Sequence, residues 1–476
     1  MSVARTDAVV VGAGPNGLAA ALTLARQGFR VEVLEAADEP GGGARSRDDL
    51  TVPGVLHDVC SAVHPFGAAS PFLRSLPLER HGLEWAHPEV AVAHPLDGGD
   101  AGLLYRDLDR TAAGLGEDGA RWRRLFGHSA RRFDALAEDL LGPMLRLPRH
   151  LVTTGRTGAL ALLPATALAA TLRTERARAL FGGVASHLYQ PLDRPLSASV
   201  GVMMVAAGHA YGWPVARGGS MAITRAMVGL LEELGGRIHT GVRVRSLHDL
   251  PPARVALFDV TPGQLEEIAG DRMPAGDRRR ARRWRHGSAA YKVDYAVRGG
   301  VPWAAGDVAR AGTVHLSGSF EETVEVERDI EEGRLPDRPF VLLAQQHVAD
   351  PDRARADVVP VWAYAHVPHA WEGDVGPLVD AQIERFAPGF TDRIVARHET
   401  SPAGFEAYNP NYVGGDIAGG ATDPWQLVAR PRLSPDPYRT GVPGVWLCSS
   451  STPPGAGVHG LCGFHAARSA LRVLVS

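Results

Sequence analysis

Groups capable of binding and redox chemistry sit at both ends of this 476-residue chain. Near the start, Gly12, Gly14 and Gly17 stand in a Gly-x-Gly-x-x-Gly spacing, with Pro15 and Asn16 inside it and Glu35 further on. Each glycine does something different: Gly12 makes a tight turn, Gly14 lets the backbone approach a diphosphate, and Gly17 lets a helix pack close to a strand. A helix starting there offers unpaired N–H groups and a positive dipole end to phosphates. Glu35 can accept both hydroxyls of an adenosine ribose, and its charge disfavours a 2′-phosphate. The chemistry is dinucleotide binding, with FAD or NAD expected and NADP not.

The secondary structure that holds these groups is legible. An apolar strand (Ala8 to Val11), the glycine turn, a helical run (Leu18 to Arg26) and a second strand (Arg30 to Leu34) closing on Glu35 form a β-α-β unit. From Leu103 to about Gly208 the pattern is helical, with Arg121 to Phe126, Phe133 to Leu141 and Arg173 to Val184 as clear segments. Gly158 to Pro164 is apolar all round, which fits core packing first and the mouth of an apolar tunnel touching membrane second. Arg237 to Arg245 reads as a strand, and Arg278 to Arg285 as a solvated basic helix face. In Ala289 to Ala296 the alternation puts Tyr291, Val293 and Tyr295 on one strand face and Lys292 with Asp294 on the other.

Lys292 is the only lysine among 50 basic residues. Lysine can lose its proton when buried, which arginine cannot, so Lys292 is a candidate functional residue; pairing with Asp294 is the plainer reading. Five histidines between residues 51 and 97 lack the short spacing of metal ligands, and His366-Val367-Pro368-His369 fits a strand-end turn. No metal site is expected. Net charge of -3 gives no overall attraction to nucleic acid. Cys60, Cys448 and Cys462 form no Cys-x-x-Cys pair, which argues against thiol-disulfide chemistry. The first strand begins close to Met1 and no run reaches the length of a spanning helix, so a cytoplasmic location is expected, with peripheral membrane contact as its variant.

Gly41-Gly42-Gly43-Ala44-Arg45-Ser46 resembles the segment that follows the ribose acid in amine oxidase and phytoene desaturase flavoproteins, where the glycines pass under the diphosphate and Arg45 can pair with it. With Arg217-Gly218-Gly219, Tyr291 to Tyr295 and Gly455 to Gly460, the chain resembles phytoene desaturase and carotenoid isomerase-like FAD oxidoreductases over nearly its whole length. The resemblance implies an α/β fold: a Rossmann-type, glutathione-reductase-like FAD domain built from 1–100, 214–270 and 418–476, with an inserted α+β substrate domain of 101–213 and 271–417 carrying a helical cap. It further implies that Val242 meets the adenine, that Gly457 and Val458 begin a helix facing the flavin ribityl chain, and that His64, Lys292 and His459 lie at the flavin face. The acid that relatives carry on the loop after the last strand is replaced by Ser449-Ser450-Ser451, so a hydroxyl such as that of Ser450 would supply the contact.

The expected activity is hydride transfer from a carbon of an apolar or alicyclic small molecule to flavin N5, forming a double bond, with oxygen or a quinone reoxidising the flavin. Three alternatives stay open: a redox-neutral isomerase using reduced FAD, a non-catalytic prenyl- or lipid-binding escort protein, and an amine oxidase, whose aromatic pair at the flavin is not locatable in the sequence.

Overall fold

A computed structural model describes residues 6–475. The β-branched run Ala8–Val11 forms a buried strand at the centre of a five-stranded sheet. Val31–Leu34 and Val255–Phe258 flank it, and Arg237–His239 and Val445–Leu447 are the edges. All four pairings are parallel, with Ala8 opposite both Val31 and Val255. Parallel strands need both faces covered, which explains why Ala8–Val11, Val255–Phe258 and Val445–Leu447 are apolar throughout rather than alternating.

The first helix, Pro15–Ala25, covers one face and starts with Pro at its first position, where a missing N–H costs nothing. The last helix, Leu461–Leu474, lies against it. Gly463 makes this approach possible: a Cβ there would overlap the carbonyl oxygen of Asn16. A Cβ on Gly17 would likewise overlap the carbonyl oxygen of Gly12, which accounts for the third glycine of the motif.

The second sheet has seven strands in the order Ile394–Thr400, Ala289–Arg298, Val358–Val367, Val341–Ala344, Ala311–Leu316, Val90–Leu96, Asp100–Leu104. Its pairings are antiparallel except that between Ala311–Leu316 and Val90–Leu96. Its two faces differ in kind. Tyr291, Val293, Tyr295, Val361, Ala363 and Leu343 pack with Val379 and Ile383 of the helix Gly376–Phe386 in an apolar core. The alternate residues Lys292, Asp294, Trp362, Tyr364, His366 and His315 face the other way, and all are buried. A buried sheet face this rich in polar groups is where function is to be sought.

Three expectations change. Val90–Leu96, inside the 1–100 segment assigned to the nucleotide domain, hydrogen-bonds into the seven-stranded sheet. The strand read over Arg237 to Arg245 ends at His239, because the chain turns at Gly241, whose φ is +70°. The apolar stretch 158–164 does not fill a core: the helix Leu151–Ala161 is largely exposed, with Val152 81% and Leu162 63% accessible. The basic run behaves as read, since Arg278, Arg280 and Arg282 of the helix Ala275–Arg282 pair on the surface with Asp271, Asp277 and Glu266. Among the described residues, no helix is long and apolar enough to cross a membrane.

Candidate active site

One cavity of about 1170 Å³ runs from the glycine turn, past the last helix, to the polar face of the seven-stranded sheet. At one end its walls are backbone. Gly14 and Gly42 bring two loops together so closely that a Cβ on Gly42 would lie 3.1 Å from the Gly14 Cα. Gly42 has a φ of +51°, and its carbonyl accepts the Tyr408 hydroxyl at 2.5 Å. Gly43 has no room for a side chain beneath the Tyr412 hydroxyl.

Glu35 ends the second strand at the cavity wall and anchors the turns around it. Its Oε2 accepts the Ala13 amide at 2.7 Å and its Oε1 the Ala37 amide at 2.9 Å. The Val242 amide donates to the Glu35 carbonyl at 2.8 Å, which places Val242 at the cavity although it is in a loop. Each Glu35 oxygen retains a lone pair for a further donor. Arg45 lines the same end, where its guanidinium donates to the carbonyls of Glu39 (2.6 Å) and Pro40 (3.3 Å) and lies 3.7 Å from Glu35.

A dinucleotide fits these residues. The first helix has no side-chain N-cap, and since Pro15 lacks an N–H and Gly17 donates to Asp259, the Asn16 amide is the one its first turn offers a ligand. Asn16 Oδ1 is buried there without a partner, beside Pro15 on the cavity wall. The wall between the two glycine loops is bare of side chains, as a group pressed against backbone requires.

Asp259 is the residue that motif reading missed. Directly after the strand Val255–Phe258, its Oδ2 accepts the Gly17 amide at 3.0 Å, at the mouth of the first helix. Burial pushes its pKa up to about 7; the Gly17 N–H opposes this and the charge of Glu35 adds to it. No spacing rule marks it, because it follows Gly17 by 242 residues, half the length of the chain.

The three residues expected at the reacting end part company. His64 is buried on the cavity wall, its Nε2 2.8 Å from the Ser220 hydroxyl, its Nδ1 unpartnered and its pKa lowered by burial to about 4. His459 also lines the cavity, but its Nδ1 accepts the Leu461 amide at 3.0 Å and so caps the last helix. Burial lowers its pKa to about 4. Lys292 does not reach the cavity. It is fully buried, hydrogen-bonded to Asp294, and lies 5.8 Å from the ring centroid of Trp362, which does line the cavity. Register turns Lys292 to the same sheet face as Trp362.

At the far loop only Ser450 of the three serines lines the cavity, together with Gly457 and Val458. Ser449 and Ser451 turn into their own hydrogen bonds, Ser451 Oγ donating to the Gly419 carbonyl at 2.7 Å. Beneath them the buried Arg430 donates to the carbonyls of Ser450 (2.9 Å) and Ala418 (2.9 Å). An aromatic pair is present after all. Tyr189 and Tyr364 line the cavity with rings 6.2 Å apart and 11° from parallel, brought together from segments too distant for any sequence pattern.

A two-sheet fold with a backbone-walled dinucleotide end and an aromatic end defines an oxidoreductase class. Residues 10–76 match the model of the NAD(P)-binding Rossmann-like domain. The chain is 28% identical to hydroxyneurosporene desaturase of Cereibacter sphaeroides over 98% of both chains. It is 25% identical to pyridine nucleotide-disulfide oxidoreductase domain-containing protein 2 of Mus musculus, over 98% of this chain and 94% of that one. A solved putrescine oxidase shares the fold at a TM-score of 0.60 and 18% identity, covering 99% of this chain and 98% of its own. The chain is an oxidoreductase, similar in sequence to desaturases.

Proposed function

We propose that the chain is a FAD-dependent dehydrogenase that takes hydride from a carbon of a largely apolar or alicyclic substrate, leaving a double bond. The observation that carries this is the single continuous cavity, backbone-walled and acid-anchored at one end and apolar at the other. When bound, FAD supplies the hydride acceptor, and oxygen or a quinone restores it.

The chain's own residues do the rest. Glu35 holds the ribose hydroxyls, the Gly12 to Gly17 turn with the Asn16 amide and the positive end of the first helix hold the diphosphate, and Gly42 and Gly43 leave it room. Arg45 offsets its charge, while Val242, Ser450, Gly457 and Val458 border the adenine and ring ends. Met203 and Met204, both buried, line the substrate end and exclude water from a reacting carbon. His64 stays neutral at physiological pH and presents a buried ring with one nitrogen free, fit to orient rather than to carry charge.

The test is direct. Purified protein should hold FAD with a visible flavin spectrum, and anaerobic titration with apolar alicyclic or polyene candidates should bleach it. Protein that cannot take up FAD reverts to the escort reading. Turnover that needs a reductant and yields no net oxidation selects the isomerase.

A further inference from the structure

The substrate end of the cavity closes on a tract of histidines that hydride transfer leaves unused. His187, on the cavity wall, places its Nε2 3.0 Å from the Nε2 of His315. Behind them His94 Nε2 meets the Gly318 carbonyl at 2.9 Å, and His366 Nδ1 meets Glu327 Oε1 at 2.8 Å. Tyr189 stacks on His366 with centroids 4.0 Å apart. The arrangement strains the backbone: Tyr189 and Leu196, both at the cavity, hold φ of +57° and +69°, a region that bulky side chains avoid.

The protons of this tract can be placed by satisfaction. His94, His315 and His366 each have one buried ring nitrogen without a partner: Nδ1, Nδ1 and Nε2. An orphaned lone pair is cheaper than an orphaned N–H, so the proton of each lies on the other nitrogen. His94 then donates to the Gly318 carbonyl and His366 to Glu327. His315 donates from Nε2 to His187 Nε2. His187 must accept there, which leaves its own proton on Nδ1 of a ring that lines the cavity. Burial lowers the pKa of His187 to about 3 and that of His315 well below the ordinary value, so both rings are neutral.

We propose that His187, flanked by Tyr189 and Tyr364, binds a neutral oxygen function, a hydroxyl or carbonyl, on an otherwise apolar substrate. The proposal rests on the reading of this cavity as the substrate half of a flavoenzyme. A donor at Nδ1 calls for an acceptor atom, which a hydrocarbon lacks and an ammonium cannot offer. A carboxylate would accept, but no cation lines this end: between residues 140 and 204, and from 342 to 364, the lining contains no charged side chain. A bare charge in such a wall is strongly disfavoured.

The experiment uses FAD-loaded protein and a matched set of probes: farnesol, farnesene, farnesylamine and farnesoic acid. Binding is read by quenching of tryptophan fluorescence, since Trp362 lines the cavity and Trp213 lies 5.9 Å from His187, and by shifts in the flavin band. Farnesol should bind about tenfold more tightly than the other three, the scale of one well-made neutral hydrogen bond in a closed site. His187→Phe should abolish the preference and His187→Gln should retain part of it. Equal affinity for farnesol and farnesene in the unaltered protein, or a preference that survives in His187→Phe, overturns the proposal. If His187→Phe does not fold, the comparison of farnesol with farnesene in the unaltered protein decides by itself. Protein that takes up no FAD sinks the flavoenzyme reading instead, and the fluorescence series still decides the role of His187.

Discussion

Asp259→Asn should reveal a charge that the dinucleotide-free protein holds at a cost. The Asp259 carboxyl, at the mouth of the first helix, has its pKa pushed up to about 7 from an ordinary 3.8. In an unfolded chain it ionises near the ordinary value. Between these two values the native state keeps a proton that the unfolded state has lost, so stability falls as pH rises and levels off above 7. The slope is about 1.4 kcal/mol per pH unit, or ~3 kcal/mol between pH 5 and 7. Because one edge of Asp259 opens into the cavity, water there screens the charge, and about 2 kcal/mol is the working figure. The asparagine keeps an oxygen for the Gly17 amide and has no charge to lose. Urea unfolding without FAD, at pH 5 and pH 8, should show Asp259→Asn gaining about 2 kcal/mol on the unaltered protein as pH rises. Parallel pH profiles for the two proteins would overturn this account, since the carboxyl would then be ionised at both values.

Glu35→Gln should weaken FAD retention by about ten- to a hundredfold, measured by equilibrium dialysis, because hydrogen bonds to a charged acceptor are the stronger kind. Lys292→Met should destabilise the fold by roughly 3–5 kcal/mol by leaving Asp294 buried and unpaired, while the double variant Lys292→Met with Asp294→Leu recovers most of the loss; a Lys292→Met protein of unchanged stability would contradict the pairing. Gly463→Ala should lower the thermal midpoint, with a cost of about 1–3 kcal/mol, because the new methyl overlaps the Asn16 carbonyl and must push the first and last helices apart. Unchanged visible spectra at equal FAD saturation would show that this loss is one of packing and not of the ring environment.

The dinucleotide end is written in the sequence without help from the fold. Gly12, Gly14, Gly17 and Glu35 are close in the chain, and local geometry dictates what such a spacing does: a tight turn, a helix start and an acid at a strand end need no distant partner to be read. The strand face shared by Lys292 and Asp294 is equally legible, since alternation is a property of the extended backbone. Alternation is silent on which side chains of that face line the cavity: Trp362, from another strand, does, and Lys292 does not. The 158–164 stretch reads as core first for a related reason: an apolar run reports that water is disfavoured, not whether packing or a cavity mouth answers it. Everything else is settled by tertiary packing. Asp259 reaches Gly17 only because Val255–Phe258 pairs beside Ala8–Val11. Likewise His187, Tyr189, His315 and Tyr364 meet only where a helical layer closes over a sheet, because contacts between segments so far apart in the chain are set by packing and leave no mark in spacing.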